Sequence, residues 1–277
     1  MKKQTAWCLF LALVIASSSC STDGEIAEDT LENLDSVEDM DDDSEDAPMD
    51  EENNLGDGDS EETLGQECPE NGETYFVESK GLISIEFEDT AYSEDWELKK
   101  DTENLSGDGY LVWTGNPSMG SPGEGTLLYR IQIDRPGTYQ FVWKSSFRKG
   151  DNGTEHNDSW LRFPDAQDFY GSKQNGESKV YPKGSGKTPN PNGASAEGWF
   201  KIYRSGNNKA FNWQARTSDH DAHQIYVQFA EKGLYTMEVS ARSDYHGIDR
   251  FLLFDSTYSL DEAINAGESF SEKEECR

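Results

Sequence analysis

The chain of 277 residues carries 55 acidic and 24 basic side chains, a formal charge of −31, with 34% hydrophobic and 12% aromatic residues. The charge is uneven: residues 1–20 hold Lys2, Lys3 and no acid, residues 21–67 hold 21 acids and no base, and residues 68–277 hold 34 acids and 22 bases. Neither the acidic stretch nor the body after it offers a net basic face to phosphates, which excludes nucleic acid as a partner.

Residues 1–20 read as an export signal. Lys2-Lys3 precedes an apolar run from Ala6 to Ala16, then Ser17-Ser18-Ser19-Cys20. A charged start, a short apolar stretch and small residues are the parts of a secretory signal, and the run is too short for a transmembrane helix. The ending resembles a bacterial lipoprotein signal with Cys20 as the lipidated residue, although three serines replace the usual lead-in; an ordinary cleaved signal is the alternative. Either reading exports the protein, and the first places it in the cell envelope, at the outer membrane or cell surface, with a lipid anchor as its membrane contact.

Residues 21–67 contain no Phe, Trp or Tyr and are predicted to be a disordered acidic linker. As a flexible coil they would span on the order of 40 Å. Asp39, Asp41, Asp43 and Asp57, Asp59, Glu61 look faintly like calcium loops, but both lack the glycine and glutamate that an EF-hand loop requires. With Cys8 in the signal and Cys20 lipidated, Cys68 and Cys276 remain at the two ends of the domain. In an oxidising compartment they are predicted to form one disulfide.

Residues 68–277 read as strands. Short alternating apolar runs cover Leu82–Glu88, Tyr110–Trp113, Thr126–Ile133, Tyr139–Ser145, Trp160–Phe163, Phe200–Tyr203, Ile225–Phe229, Tyr235–Arg242 and Ile248–Phe254, rich in β-branched and aromatic residues. Asp255–Gly267 is the one plausible helix. The pattern predicts an all-β jelly-roll sandwich. Two echoing stretches, Ile131–Tyr139 and Val227–Tyr235, each read as strand, polar turn, Gly and strand, which suggests two hairpins. Between Pro164 and Trp199 lies a polar segment long enough to form a ligand-facing lip.

Several motifs invite chemistry. Gly184-Ser185-Gly186-Lys187-Thr188 imitates a nucleotide loop, but Tyr181 stands where the leading glycine belongs and Pro189 forbids the helix. Asp219-His220-Asp221-Ala222-His223 concentrates two of the four histidines, with His156 and His246 elsewhere; metal binding, sugar hydrogen bonding and a structural polar network remain open. No nucleophile elbow or cysteine nucleophile context is present, so the sequence offers no positive support for catalysis. Trp199, Trp213 and Tyr245 lie near predicted loops, where flat aromatic faces can pack on sugar rings while His223, Asp221 and similar groups bond hydroxyls. Trp113, Trp143 and Trp160 lie within strands and are assigned to the core.

Ile83-Ser84-Ile85-Glu86-Phe87-Glu88 resembles the opening strand of carbohydrate-binding modules of the family 6 and family 35 kind. Gly109-Tyr110-Leu111, Leu128-Tyr129-Arg130-Ile131 and Pro136-Gly137-Thr138-Tyr139 resemble the middle strands, and Ser240-Ala241-Arg242 with Ile248-Asp249-Arg250-Phe251 the closing one. The resemblance spans Ile83 to Phe254. It implies a galactose-binding-domain-like β-sandwich that binds polysaccharide without cleaving it and works beside polysaccharide-degrading enzymes. It also implies a structural Ca²⁺ held by Glu86, Glu88 and Asp249. Trp213 corresponds to the family's main aromatic, and Tyr245 or His246 to a polar group of its site. The length of the Pro164–Trp199 segment and the histidine-rich loop depart from that pattern. A polysaccharide-degrading enzyme and a protein-binding adhesin are the rival readings.

Overall fold

The computed structural model describes residues 72–173 and 176–276. In chain order the strands are β1 (Thr74–Val77), β2 (Leu82–Glu86), β3 (Trp96–Lys99), β4 (Tyr110–Trp113), β5 (Leu127–Ile133) and β6 (Gly137–Phe147). Then come β7 (Asp158–Arg162), β8 (Asp168–Ser172), β9 (Lys179–Val180), β10 (Ser195–Ala196), β11 (Trp199–Tyr203) and β12 (Asn212–Trp213). The last are β13 (Arg216–Thr217), β14 (His223–Phe229), β15 (Gly233–Ser240), β16 (His246–Phe254) and β17 (Lys273–Glu275), with one helix, α1 (Leu260–Ala266), before β17.

The strands form two layers. One runs β9–β8–β14–β6–β16, and on the far flank of β16 lie β2 and β4, end to end, with β3 outside β4. The other runs β17–β1–β5–β15–β7–β11–β10, antiparallel except for the parallel β1–β5 pair. Short β13 pairs with both β11 and β14 and joins the layers at one edge. Ile85, Phe141, Trp143, Phe251 and Leu253 of the first layer belong to one buried cluster with Tyr129, Ile131, Met237 and Val239 of the second.

Alternation explains why β16 reads as one apolar run. Phe251 and Leu253 enter the central core, while Leu252 and Phe254 point the other way. There they form a second cluster with Leu82, Val142 and Ala263 beneath α1. That helix begins at a reciprocal cap: Ser259 Oγ accepts from Glu262 N, and Glu262 returns the bond to the Ser259 N–H.

All nine strands read from the sequence are present, extended or trimmed at their ends, and the helix forms within its expected range. The predicted Leu82–Glu88 strand stops at Glu86, because Phe87–Asp89 turns as a 3₁₀ segment that sends Phe87 into the core. The two supposed hairpins are instead arches between layers. β5 and β6 lie in different layers, as do β14 and β15, so neither pair is hydrogen-bonded to itself. Arch contacts replace the ladder: Phe229 meets Tyr139 at 5.5 Å and Tyr235 at 4.6 Å between centroids, and Glu78 accepts the N–H groups of Asp134 and Arg135 at 3.0 and 2.8 Å. The polar 164–199 segment is not all loop. Its Asp168–Ser172 stretch pairs with β14 along five residues, which composition alone did not reveal.

Candidate functional site

β6 ends at Phe147, β11 ends at Tyr203, β7 begins at Asp158 and β16 begins at His246, and their neighbours in register place these points at one end of the sandwich. The loops there assemble a patch of rings and charges. The Tyr110 and Phe211 rings lie 4.9 Å apart, and the Arg148 guanidinium stands 5.3 Å from the first and 5.6 Å from the second. Arg148 Nε donates to Tyr110 Oη at 3.1 Å, and that hydroxyl donates to Asp101 Oδ1 at 2.8 Å. Burial, reinforced by Asp101, pushes the Tyr110 phenol up to about 12, so it stays a donor. Gly247 makes this packing possible, since a Cβ there would meet Arg148 Cγ at 2.9 Å and the Tyr110 ring at 3.0 Å.

Tyr245 continues the patch. Its backbone is left-handed, φ +57°, an unfavourable conformation for a bulky residue. Its ring lies 4.8 Å from Lys149 Nζ and meets His156 edge-on at 6.4 Å. Asp244 bonds both partners, Lys149 Nζ at 2.8 Å and His156 Nδ1 at 2.7 Å. Burial opposes ionisation of Asp244, but the bonds from Lys149 and His156 outweigh it and hold the carboxyl below its usual range. Tyr110 is fully buried and supports the patch; Phe211 and Tyr245 are half-buried and present ring surface.

The six residues expected to bind sugar do not form one site. Tyr245 lies on the patch. His246 is fully buried, its Nδ1 2.9 Å from Ser159 Oγ and its ring against Trp143. Burial, with the charge of Arg204 added, pushes its pKa down to about 3, which keeps it neutral and structural. His223 is also fully buried, between Ser178 Oγ and the Asp221 carbonyl. Asp221 is exposed and paired with Lys173 at 2.6 Å. Trp199 is 3% exposed and packs under the Arg162 guanidinium at 4.4 Å, so no ring face is open to a ligand. Trp213 is half-buried against the α1 cluster and carries Arg250 5.1 Å above its ring. Phe211, two residues earlier, is the ring of this loop that lies against Tyr110 and Arg148. The sequence reading also missed Arg148, Lys149, Asp101 and Asp244; the glycine after His246 was the available signal.

The three expected metal carboxylates do converge. A register shift in β16 makes Asp249 an extra residue between Ile248 and Arg250, beside the gap where β2 ends and β4 begins. The Ser106 hydroxyl lies 3.1 Å from Glu86 Oε2 and 3.2 Å from Asp249 Oδ2. Glu88 Oε1 accepts the N–H groups of Asp108 and Gly109 at 2.8 and 3.0 Å. Gly107, at φ +55°, passes so close that a Cβ would meet Glu88 Oε1 at 2.7 Å. Asp249 is already paired, with Lys144 Nζ at 2.7 Å. Burial raises all three carboxyls, Glu86 to about 8. Glu86 Oε1 and Glu88 Oε2 are buried without a hydrogen-bond partner. Among the described residues no three His, Cys, Asp or Glu side chains complete a metal-ligand set. Two orphaned carboxylate oxygens suit a hard cation whose remaining ligands are hydroxyl, backbone or water oxygens.

No protein-family model matches the sequence, and no curated protein matches it. Similar solved structures include a Podospora anserina GH26-CBM35 β-(1,4)-mannanase, at 13% identity and a TM-score of 0.38, covering 65% of this chain and 29% of that one. They also include a CBM35 from Cellvibrio japonicus, at 11% identity and a TM-score of 0.35, covering 63% of this chain and 93% of that one. A third is a Xyl-CBM35 in complex with a glucuronic acid-containing disaccharide, at 11% identity and a TM-score of 0.35, covering 62% of this chain and 93% of that one.

Proposed function

We propose that this domain binds glycans and breaks no bond in them. The observation that carries the reading is the patch at the loop end, where ring surface from Phe211 and Tyr245 alternates with Arg148, Lys149, Asp101 and Asp244. Aromatic faces pack on the C–H faces of pyranose rings, and the charged groups supply donors and acceptors for hydroxyls. The rival enzyme reading needs an accessible acid. Glu86 is the carboxyl whose raised pKa fits a general acid, yet it is 3% exposed and out of reach of a polymer. Glycan arrays and affinity gels, run with and without EDTA, test binding directly. Retention without release of reducing ends supports this reading, and release during incubation contradicts it.

The same proposal includes a structural Ca²⁺. Glu86 and Glu88 would hold it, with Asp249 and Ser106 alongside, and its charge would settle the two buried carboxylate oxygens that lack a hydrogen-bond partner. It also includes export and a lipid anchor at Cys20 in the cell envelope, the acidic 21–67 segment as a spacer, and association with polysaccharide-degrading enzymes. Many copies on one surface would gain avidity from individually weak sites. The leader, the spacer and Cys68 lie outside the described residues. Cys276 is buried and is not a free thiol. Gly72 N donates to Cys276 O at 3.0 Å and Cys276 N donates to Glu73 O at 2.7 Å, which brings Cys276 near the start of the domain and supports pairing with Cys68. Mass spectrometry of the non-reduced protein tests that bond: a linked Cys68–Cys276 peptide is expected, and two free thiols would contradict it.

A further inference from the structure

The interior at the loop end of the sandwich is polar. On β6, Trp143, Ser145 and Phe147 are buried and share the inward face by alternation. Register pairs Ser145 with Ile248 and Phe147 with His246 of β16. From the second layer, Ser159 Oγ lies 2.9 Å from His246 Nδ1, and Arg204 follows β11 with its N–H on the Asn157 carbonyl at 3.1 Å. The Trp143 ring lies 5.2 Å from that of His246, and the Arg204 guanidinium lies 5.4 Å from the Phe147 ring.

Four side chains of this interior each keep one buried polar atom without a hydrogen-bond partner: Trp143 Nε1, Ser145 Oγ, Arg204 Nε and His246 Nε2. The terminal nitrogens of Arg204 are taken, Nη1 by the Asn208 carbonyl at 2.6 Å and Nη2 by the Ser205 carbonyl at 3.2 Å, and the residue is 1% exposed. No polymer reaches it. The four atoms are one-sided in their chemistry. Indole and guanidinium nitrogens only donate, serine can donate, and neutral imidazole donates from whichever nitrogen holds its proton. None of the four is an obligate acceptor. Charge is one-sided as well. Two arginines are buried among the described residues, Arg204 and Arg250. Arg250 bears on Glu86, whereas burial alone lowers the pKa of Arg204, with no carboxylate acting on it. A buried cation without a counter-ion is costly, and so are buried N–H groups without an acceptor.

We propose that this interior holds a small monovalent anion of chloride size, with Arg204 Nε, Trp143 Nε1, His246 Nε2 and Ser145 Oγ as its donors. Ser159 donates to His246 Nδ1, which leaves the proton of the neutral ring on Nε2 for the ion. A water accepts two of the four bonds and brings no charge. A halide accepts all four and supplies the counter-charge. The cleft of about 650 Å³ that has Asn157, Tyr203 and Arg204 among its lining residues is the side from which a small ion enters. The ion belongs to the fold and not to the glycan surface, so the proposal stands or falls apart from the glycan reading.

The test measures Tm of the full chain in EDTA at fixed pH and ionic strength, with sodium chloride exchanged stepwise for sodium gluconate, whose anion is too large for the interior. Chloride is expected to raise Tm along a saturating curve, by roughly 5–10 °C at a hundredfold excess over its Kd, and bromide should act likewise. Ser145→Ala removes one donor and should raise the half-saturating chloride concentration about tenfold, the scale of one charge-assisted bond. Arg204→Met should abolish the response. Because Arg204 is buried and that variant can fail to fold, crystals grown in bromide give a second reading: an anomalous peak bonded to the four donors is expected. A Tm that follows ionic strength alone overturns the proposal, and so does a water in place of bromide at that position. A response of wild-type size in both Ser145→Ala and folded Arg204→Met overturns it too, by placing the ion elsewhere.

Discussion

The acid cluster beside β16 and the loop-end patch settle their charges in opposite ways. In the patch Arg148 pairs with Asp101 and Lys149 with Asp244, which also bonds the His156 ring. In the acid cluster Lys144 pairs with Asp249 alone, Arg250 bears on Glu86, and two buried carboxylate oxygens have no hydrogen-bond partner. A region that is internally neutral and partly exposed can exchange its water for a ligand at little cost. A buried region whose carboxyls are all raised by burial would be settled by a cation. In the function proposed above the first serves as a surface for recognition and the second as a socket, and the following experiments separate the two.

The largest effect belongs to neither region. Trp199→Ala removes a buried indole and should destabilise the domain by about 3–5 kcal/mol, read as a lower midpoint in chemical denaturation. Any glycan bound by the folded fraction should be bound as before. A selective loss of affinity with stability unchanged would return Trp199 to the site.

Next comes pH. His246 has a folded pKa of about 3 against an ordinary 6.5, so the unfolded chain takes up a proton that the folded chain refuses. Its contribution to stability is complete above pH 6.5 and is lost as pH falls toward 3, with a slope of at most about 1.4 kcal/mol per pH unit. Replacing it as His246→Gln should flatten that part of the stability curve. An unchanged slope would show that another group carries it.

The socket responds to metal. Calcium at a hundredfold excess over its Kd should add about 3 kcal/mol, or roughly 5–10 °C in Tm for a domain of this size. EDTA should reverse the shift, and Glu86→Gln with Glu88→Gln should abolish it. A Tm that ignores both calcium and EDTA would mean that Lys144 and protonation alone settle the cluster.

The smallest effect tests the patch's strain. Tyr245→Gly relieves a left-handed backbone and should change stability by no more than about 1 kcal/mol, in either direction, while weakening glycan retention. Full retention would show that the Tyr245 ring is not part of the surface.

What the sequence made legible follows the same division. Glu86, Glu88 and Asp249 were named by the family resemblance and not by any periodicity, and the structure adds that the strand ends at Glu86 and that Glu88 follows in a turn. The core strands were legible from local pattern, because their apolar residues alternate. The patch comes from loops far apart in the chain, around residues 101, 148, 211 and 245, and no periodicity joins them. Histidines drew attention as chemistry, yet His223 and His246 are packed and bonded within the fold. Proximity to a loop also misled: Trp199 opens β11 on the outer side of its layer, where Arg162 covers it. The two arches looked like hairpins because a polar turn with glycine reads the same whether the chain returns to its own layer or crosses to the other.

The central claim is that the loop-end patch, and not the buried tryptophans, holds glycan. Affinity of wild type and Phe211→Ala for a retained polysaccharide, measured by isothermal titration at matched folding, tests it most directly. The account predicts a loss of at least about tenfold, the worth of one aromatic stacking contact plus its displaced water, with Tm nearly unchanged. Equal affinity in the two proteins would contradict it.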